Sequence, residues 1–575
     1  MKKYQILFLL MSILTISSCS KGFLDYTPKG KVSDEQLNTA ANVDGMCIAA
    51  YAALGNDDFT VPYVHTWAWG SVRGGDAYKG GGSVGDQGYI DNLEKFNLVT
   101  VDIASLNTMW IALYEGIART NDAIQRMNKL SATEYPKKSI RLAEMRFIRG
   151  HFHFLLKVLF KNIPYIDDVV LQKDRGKVDN STLTDIQLWE KIEADFQFGV
   201  DNLPVAQAEV GRANKMSASA YLAKVNLYKA YQQDKNNQVT SVNAAALAKV
   251  IAACDAVINS GKYSLESDFG NNWLYPLSEN NKESLFAVQY SINDGTPNGR
   301  INMSSSLNYN MASTYGCCSF HAPSQNLVNA FKTDANGLPL PDTYNDVSMK
   351  DSVDYWTNGI DPRLDHTVGV PTHPFKYIPT FIAQKTWQRV PSIYGQFTPM
   401  KEIAQYTSPA FKKVGAFFGS ATNWNLIKYD EVLLWKAEAL IELGREAEAL
   451  PIINLVRARA AASTGMLKYA DGRLVANYRV SPYVDGTNIT WSNANARKAL
   501  RFERRLEFAM EGQYFFDLVR WGIAAEIINQ YFTIEKTRVA NLASAKFTSG
   551  RDEYLPIPIN QITLTLGLLK QNPNW

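Results

Sequence analysis

The chain has 575 residues, long enough to bury a large core or several layered ones. With 46% hydrophobic and 20% charged residues its composition is globular. A formal net charge of +3 and no dense Lys/Arg block leave no electrostatic footprint for nucleic acid.

Residues 1–18 read as a lipoprotein signal peptide. Lys2 and Lys3 supply the positive start, and the apolar run over 6–16 is shorter than the ~20 residues a spanning helix needs. Small residues precede Cys19 in Ile16-Ser17-Ser18-Cys19, as a lipoprotein cleavage site requires. Cys19 is therefore expected to carry a palmitate-type acyl lipid, with residues 19–575 anchored by it and otherwise soluble. The other cysteines are Cys47, Cys254, Cys317 and Cys318. No C-x-x-C pair exists, and no zinc site is read. Adjacent cysteines rarely bridge without backbone strain, so Cys317 and Cys318 are expected as two free thiols.

Residues 34–54 read as a helix opened by Ser33. Residues 57–91 are Gly-rich and polar, a composition that cannot hold a regular helix. Trp67, Trp69, Arg73 and Asp76 are interleaved with the glycines, which suits a structured ligand loop. Helical periodicity then returns over 106–130, with Trp110, Leu113, Ile117 and Ile124, and over 139–160, with Ala143, Phe147, Phe154 and Val158. Asn162-Ile163-Pro164 stops the second. His151 and His153 are two apart, not the three or four of a helical metal pair, and read as packing residues. Further helices are expected over 185–203, 215–231 and 244–260, the last ending at Gly261.

Over 262–423 the helical period fades, with a short strand at 285–288. A structureless loop of this length is improbable inside a compact domain. It reads as an irregular inserted subdomain. From 424 to 462 strong helical signals resume, and Ala437 and Ala449 let two helices approach as in a tetratricopeptide pair. In 497–522, Glu503, Glu507 and Glu511 form one acidic row at four-residue steps. Arg504 and Arg505 stand beside that row and can pair with it. Leu506, Phe508, Met510, Phe515 and Leu518 make an apolar face, interrupted by Gly512. By composition alone this is a charged helix with its ion pairs on a solvated face.

The order of these residues says more. The run of Glu503, Arg504, Glu507, Glu511, Gly512, Asp517, Leu518, Arg520, Trp521 and Gly522 resembles the closing helices of the SusD/RagB family of nutrient-capturing outer-membrane lipoproteins. Similar matches are Phe23 to Pro28 at the start, AEMRFIRGHFHFLLKVLFKNIPYI, Gly211-Arg212 with Lys215 and Ala218, and the Asp361-Pro362-Arg363-Leu364 turn. Tyr429, Asp430, Val432, Leu433, Leu434, Ala437, Glu438, Ala439 and Leu440 match another family segment. Leu555-Pro556-Ile557-Pro558 and Gln571 to Trp575 resemble the family's ending. Gly150, Lys161 and Tyr514 depart from its pattern.

The resemblance implies a mainly α fold. Tetratricopeptide-like helix pairs, near 106–203, 215–260, 424–462 and 496–530, form a scaffold over about 30–56, 92–261 and 424–575. The ligand-binding segments are the irregular ones, about 57–91 and 262–423. It also implies a SusC-like TonB-dependent transporter as partner and no cofactor.

No G-x-S-x-G elbow, phosphate-cradling loop or H-E-x-x-H occurs, and no catalytic residue is singled out. Sugars offer flat apolar faces ringed by hydroxyls, which suit aromatic rings with a few polar guides. The expected function is non-catalytic glycan capture, with peptide capture or a ligand-free scaffold as alternatives. The expected ligand residues are Trp67, Trp69, Tyr290, Tyr309, Trp356 and Trp387 for stacking. Arg73, Asp76, Asn308 and Asn310 are expected to hydrogen-bond, since no helical period explains any of the ten.

Overall fold

The computed structural model describes residues 37–575 except residue 298. The signal peptide, Cys19 and the Ser33 cap lie outside the described residues. The early helices are α1 (Ala40–Ala53), α2 (Gly88–Lys95), α3 (Ala104–Asn128), α4 (Lys138–Phe160), α5 (Asp185–Asn202), α6 (Lys215–Ala230) and α7 (Ala244–Ile258). The late ones are α8 (Tyr429–Glu442), α9 (Glu446–Ala462), α10 (Asn493–Phe508), α11 (Tyr514–Arg520), α12 (Ala524–Arg538) and α13 (Ile559–Leu564). Successive helices from α3 to α7 pack on one another, and α8 packs on α9, α7 and α6. The late helices thus continue the early stack, as units that cannot bury their faces alone must. Ala437 and Ala449 are fully buried where α8 meets α9.

Caps fix where the helices begin. Thr184 accepts from Gln187 N at 3.3 Å, while the Gln187 side chain accepts from Thr184 N at 2.9 Å, a capping box for α5. Asn214 Oδ1 takes the N–H groups of Met216 and Ser217 at 2.9 and 3.0 Å, opening α6. His151 and His153 are buried packing residues. His151 Nδ1 lies 2.7 Å from the Tyr221 hydroxyl, and His153 Nε2 accepts from Ile166 N at 3.2 Å. Burial pulls both imidazoles down to about 3, so they are neutral.

Several expectations are corrected. Helix α1 itself is capped by Thr39, which breaks the run expected over 34–54 within its described part. Residues 57–91 do hold regular structure: a π-helical turn (Trp67–Val72), a strand (Ala77–Gly80) and α2. Tertiary contacts outweigh glycine's weak propensity there. Trp424–Lys428 is a strand, paired antiparallel with the expected strand at Ser284–Val288, and the helix starts only at Tyr429. Cys317 and Cys318 are joined as a disulfide, not free; the peptide between them is cis and their Cα atoms are 3.1 Å apart.

The acidic row is buried, not solvated, with Glu503 and Glu507 on α10 and Glu511 just past its end, and its partners are not its neighbours. Residues one and two apart on a helix point to different sides. Arg504 accordingly pairs with Asp517 at 2.7 Å and Arg505 with Asp76 at 3.0 Å. Arg363, Arg457, Arg459, Lys401 and Lys428 come from elsewhere in the chain to meet Glu503, Glu507 and Glu511.

The insertion carries only two-stranded sheets and short helices, yet it has cores of its own. One gathers Trp67, Phe320, Leu327, Tyr355 and Leu364 against Leu506 of α10. Another is aromatic, built from Tyr309, Tyr315, Phe375, Trp387 and Phe418.

Candidate ligand cleft

Nine of the ten expected ligand residues are buried inside the molecule. Trp67 donates its indole N–H to Ser304 O at 3.1 Å, and Trp69 is fully enclosed. Arg73 donates to Asp552 O at 2.6 Å and lies 3.9 Å above the Phe515 ring. Burial lowers its guanidinium to about 9, with Asp552 and Glu553 opposing. Asp76 is taken by Arg505. Asn308 donates to Glu402 at 3.3 Å, Asn310 accepts from Ala312 N at 3.0 Å, and the Tyr309 hydroxyl accepts from Ala404 N at 3.4 Å. Trp387 packs on Phe375 and Phe381. Tyr290 lines a cleft but keeps only 7% of its surface. These side chains have no open face for a sugar, because irregular backbone still needs a core to hold it. Trp356 differs: it is 46% exposed, and no other described Trp is exposed.

Trp356 sits on the short helix Asp354–Thr357, whose Asp354 carboxylate accepts from Lys350 N at 2.6 Å. Lys350 is on the rim of a cleft of about 440 Å³. The cleft is built from both irregular segments and the end of α12. The strand Ala77–Gly80 pairs antiparallel with Phe320–Pro323 and presents Tyr78 at the floor. The Tyr78 hydroxyl donates to Glu535 of α12 and accepts from Gln325 N at 3.2 Å. Gln325 is further held by Asn329 and Met349 O, both at 2.9 Å. Gln396 donates to Lys350 O at 3.2 Å, tying the far wall to the rim. Arg538 is oriented by Glu535 and by Asn345 at 2.8 Å. Lys385, Ser392 and Ile393 complete the wall. Amide, hydroxyl and cationic side chains thus line one space, and the exposed Trp356 lies on the short helix that follows its lining residue Lys350 in the chain.

A second hollow, of about 300 Å³, lies between α1 and the strand Ser284–Val288, lined by Tyr51, Arg212, Gln289, Tyr290 and Arg300. A third groove, of about 380 Å³, is mostly apolar, with Trp110, Ile111, Tyr114 and Ile117 of α3 facing Pro164 and Leu569.

None of the three spaces brings together the carboxylate pair that glycoside hydrolysis uses. Burial pushes Asp57 up to about 7 and Glu94 up to about 8, but neither lines a cleft. Glu283, Asp430 and Glu507 alone among the described residues cluster as metal ligands would. Arg459 and Lys428 already neutralise them, Arg459 lying 3.0 Å from Glu283 and Lys428 3.0 Å from Asp430.

Sequence reasoning missed Gln325, Lys350, Lys385, Gln396 and Arg538. They are ordinary polar residues in segments without period, and only the fold sets them around one space.

Fold and cleft together define a mainly helical scaffold that carries an irregular subdomain with a cleft. The sequence model of the SusD family matches residues 282–575, and one described as "Starch-binding associating with outer membrane" matches residues 22–227. The chain belongs to the SusD family. SusD-like protein P2 of Formosa agariphila is 25% identical over the full length of both chains. A SusD-like protein of Bacteroides fragilis has the same fold, with a TM-score of 0.69 at 20% identity, over 95% of this chain and 99% of its own. Surface glycan-binding protein A of Bacteroides thetaiotaomicron, solved in complex with laminarihexaose, gives 0.63 at 19% identity over 93% and 99%.

Proposed function

We propose that this protein is a non-catalytic glycan-binding lipoprotein of the outer membrane. It captures an oligosaccharide or polysaccharide and delivers it to a SusC-like TonB-dependent transporter. The observation that carries the reading is the cleft lined by Lys350, Lys385, Gln396 and Arg538, with amide, hydroxyl and cationic side chains on its walls and no carboxylate in its lining; the exposed Trp356 follows Lys350 in the chain. A relative of the same fold was solved with laminarihexaose, and the family description names starch and the outer membrane, both of which support the reading. Stacking one ring on a base is worth about 1–3 kcal/mol. By that scale Trp356→Ala weakens glycan binding by about tenfold. Calorimetry against a panel of soluble polysaccharides and peptides tests this, with Tyr290→Phe in the second hollow as comparator. Equal binding by Trp356→Ala and parent would remove Trp356 from the site; binding of peptides alone would replace the glycan reading.

Delivery requires an anchor and a docking face. Cys19→Ala should move the protein from the membrane to the soluble fraction, since stable anchoring takes at least two acyl chains. Retention of that variant in detergent-free membranes would end the lipid-anchor reading. The apolar groove on α3, flanked by exposed Ile111, Leu564 and Leu566, supports a docking role for the helical face.

A further inference from the structure

We infer that the cleft lined by Lys350, Lys385 and Arg538 takes an anionic glycan, one carrying uronate carboxylates or sulfate esters, and that Lys350 and Lys385 read its charge. This rests on the glycan-binding reading and narrows its ligand class. The lining contains Lys350, Lys385 and Arg538 and no Asp or Glu. The ammonium groups of Lys350 and Lys385 have no ion pair or hydrogen bond among the described residues, and both side chains are exposed. Ammonium groups that belong to the scaffold are satisfied here: Lys401 and Lys428, for example, are buried and paired with Glu511.

The acids next to Lys350 in the chain turn to the backbone, not to its ammonium. Asp354 accepts from the backbone N–H groups of Lys350 and Asp351 at 2.6 and 3.2 Å. Asp351 accepts from Val353 N at 3.0 Å and Asp354 N at 3.4 Å. Glu535 is fully buried behind the cleft, where it holds Tyr78 and Arg538 and offsets the Arg538 charge. Two ammonium groups without a carboxylate partner therefore line the space. A neutral glycan gains only hydrogen bonds from such lysines, whereas a charged one gains charge pairing as well at each anionic substituent. The second hollow contrasts with this: its Arg212 is paired with Glu144 and Glu209.

The test uses the full mature chain and titration calorimetry with dextran, dextran sulfate, polygalacturonate and laminarin. Dextran and its sulfate share a backbone, so their difference isolates the sulfate, and polygalacturonate probes the carboxylate. The expected result is binding to at least one anionic polymer. Replacing both lysines (Lys350→Gln, Lys385→Gln) should weaken it by roughly three- to tenfold at low salt, the sum of two exposed ion pairs. The loss should shrink at ~1 M salt, where the screening length is about 3 Å. Lys262→Gln with Lys282→Gln, which line a separate hollow beside Tyr263 and Asn280, removes the same charge elsewhere and should leave affinity unchanged. Equal loss in that control would reduce the effect to overall charge and overturn the inference. Binding of laminarin or dextran alone would also overturn it while the glycan-binding reading stands. No binding of any polysaccharide would remove that reading, and the inference with it.

Discussion

Arg363→Met should destabilise the fold by about 3–5 kcal/mol, the range measured when one member of a buried ion pair is removed and the others are left uncompensated. Arg363 is fully buried. It lies 2.7 Å from each of Glu503, Glu507 and Asp361. Arg457 reaches Glu503 at 3.0 Å, Arg459 joins Glu283 to Glu507, and Lys401 and Lys428 hold Glu511 at 2.6 and 2.9 Å. Six acids (Glu283, Asp361, Asp430, Glu503, Glu507 and Glu511) thus face five cations. Burial, with Glu283 and Glu507 close by, pushes the Asp430 carboxyl well above its usual range, while Lys428 opposes. Removing Arg363 takes a cation from these acids where no water can replace it. Urea unfolding of Arg363→Met measures the cost; a midpoint matching the parent's would show that the network carries no stability. The exposed pair of Arg445 and Glu448 is the contrast, and Arg445→Ala should leave the midpoint where it was.

The same buried pairs set an acid limit. Burial alone would raise Glu438, but Arg520 outweighs it and holds the carboxyl down to about 2. Burial likewise opposes the lowering of Glu507, but Arg459 and Arg363 outweigh it and hold the carboxyl down to about 2. Depressed carboxylates stabilise the fold fully above the unfolded value near 4.3 and lose that contribution as pH falls towards the folded one. Stability should therefore hold steady above pH ~5 and drop between about 4.5 and 2. Asp430, whose carboxyl is raised, acts in the opposite sense and does not contribute to the acid drop. In Glu438→Gln the fall should be shallower; an unchanged slope would assign it to other groups.

How far the sequence reaches is visible at particular residues. Trp110, Leu113 and Ile117 recur at helical steps because one face of α3 must be buried, so the scaffold was legible. The strand Trp424–Lys428 was not, because its partner lies about 140 residues earlier and no local pattern records it. Tyr309 and Trp387 lack any period, and that lack suggested free rings. They instead form the aromatic core of the insertion, where irregular backbone is held by packing from all sides. The acidic row was legible as a row, but its distant cations Arg363 and Arg459 were not. Lys350 and Lys385 carry no signal beyond their charge, and the exposure that makes them candidates is a property of the folded surface alone.

Gly70→Ala should cost at least about 3 kcal/mol, the upper end for added bulk in a packed core, and should abolish glycan binding with it. Gly70 lies in the π-helical turn Trp67–Val72, pressed against the backbone of Gly512 between α10 and α11. A Cβ on Gly70 would overlap Gly512 O and come within 2.9 Å of its Cα, and backbone cannot swing aside as a side chain can. The contact is closed by two hydrogen bonds, Thr66 Oγ1 to Gly512 O at 3.1 Å and Gly512 N to Ser71 Oγ at 3.0 Å. Gly512 itself has φ +75°, so Gly512→Ala adds about 1–2 kcal/mol of left-handed strain to its own overlap with Thr66. The family's Glu-Gly pair at Glu511 and Gly512 therefore has a steric reason: it is where the early irregular segment docks on the late helices. The strand Ala77–Gly80 follows that turn directly and brings Tyr78 to the cleft floor, so a shifted turn displaces the floor. Gly45 gives the opposite sign. It lies within α1 with nothing within 4 Å of its absent Cβ, and Gly45→Ala should stabilise by about 0.5–1 kcal/mol through helix propensity alone. Thermal unfolding and calorimetry on the two variants separate the effects. If Gly70→Ala melts and binds like the parent, the Gly70–Gly512 contact does not position the cleft.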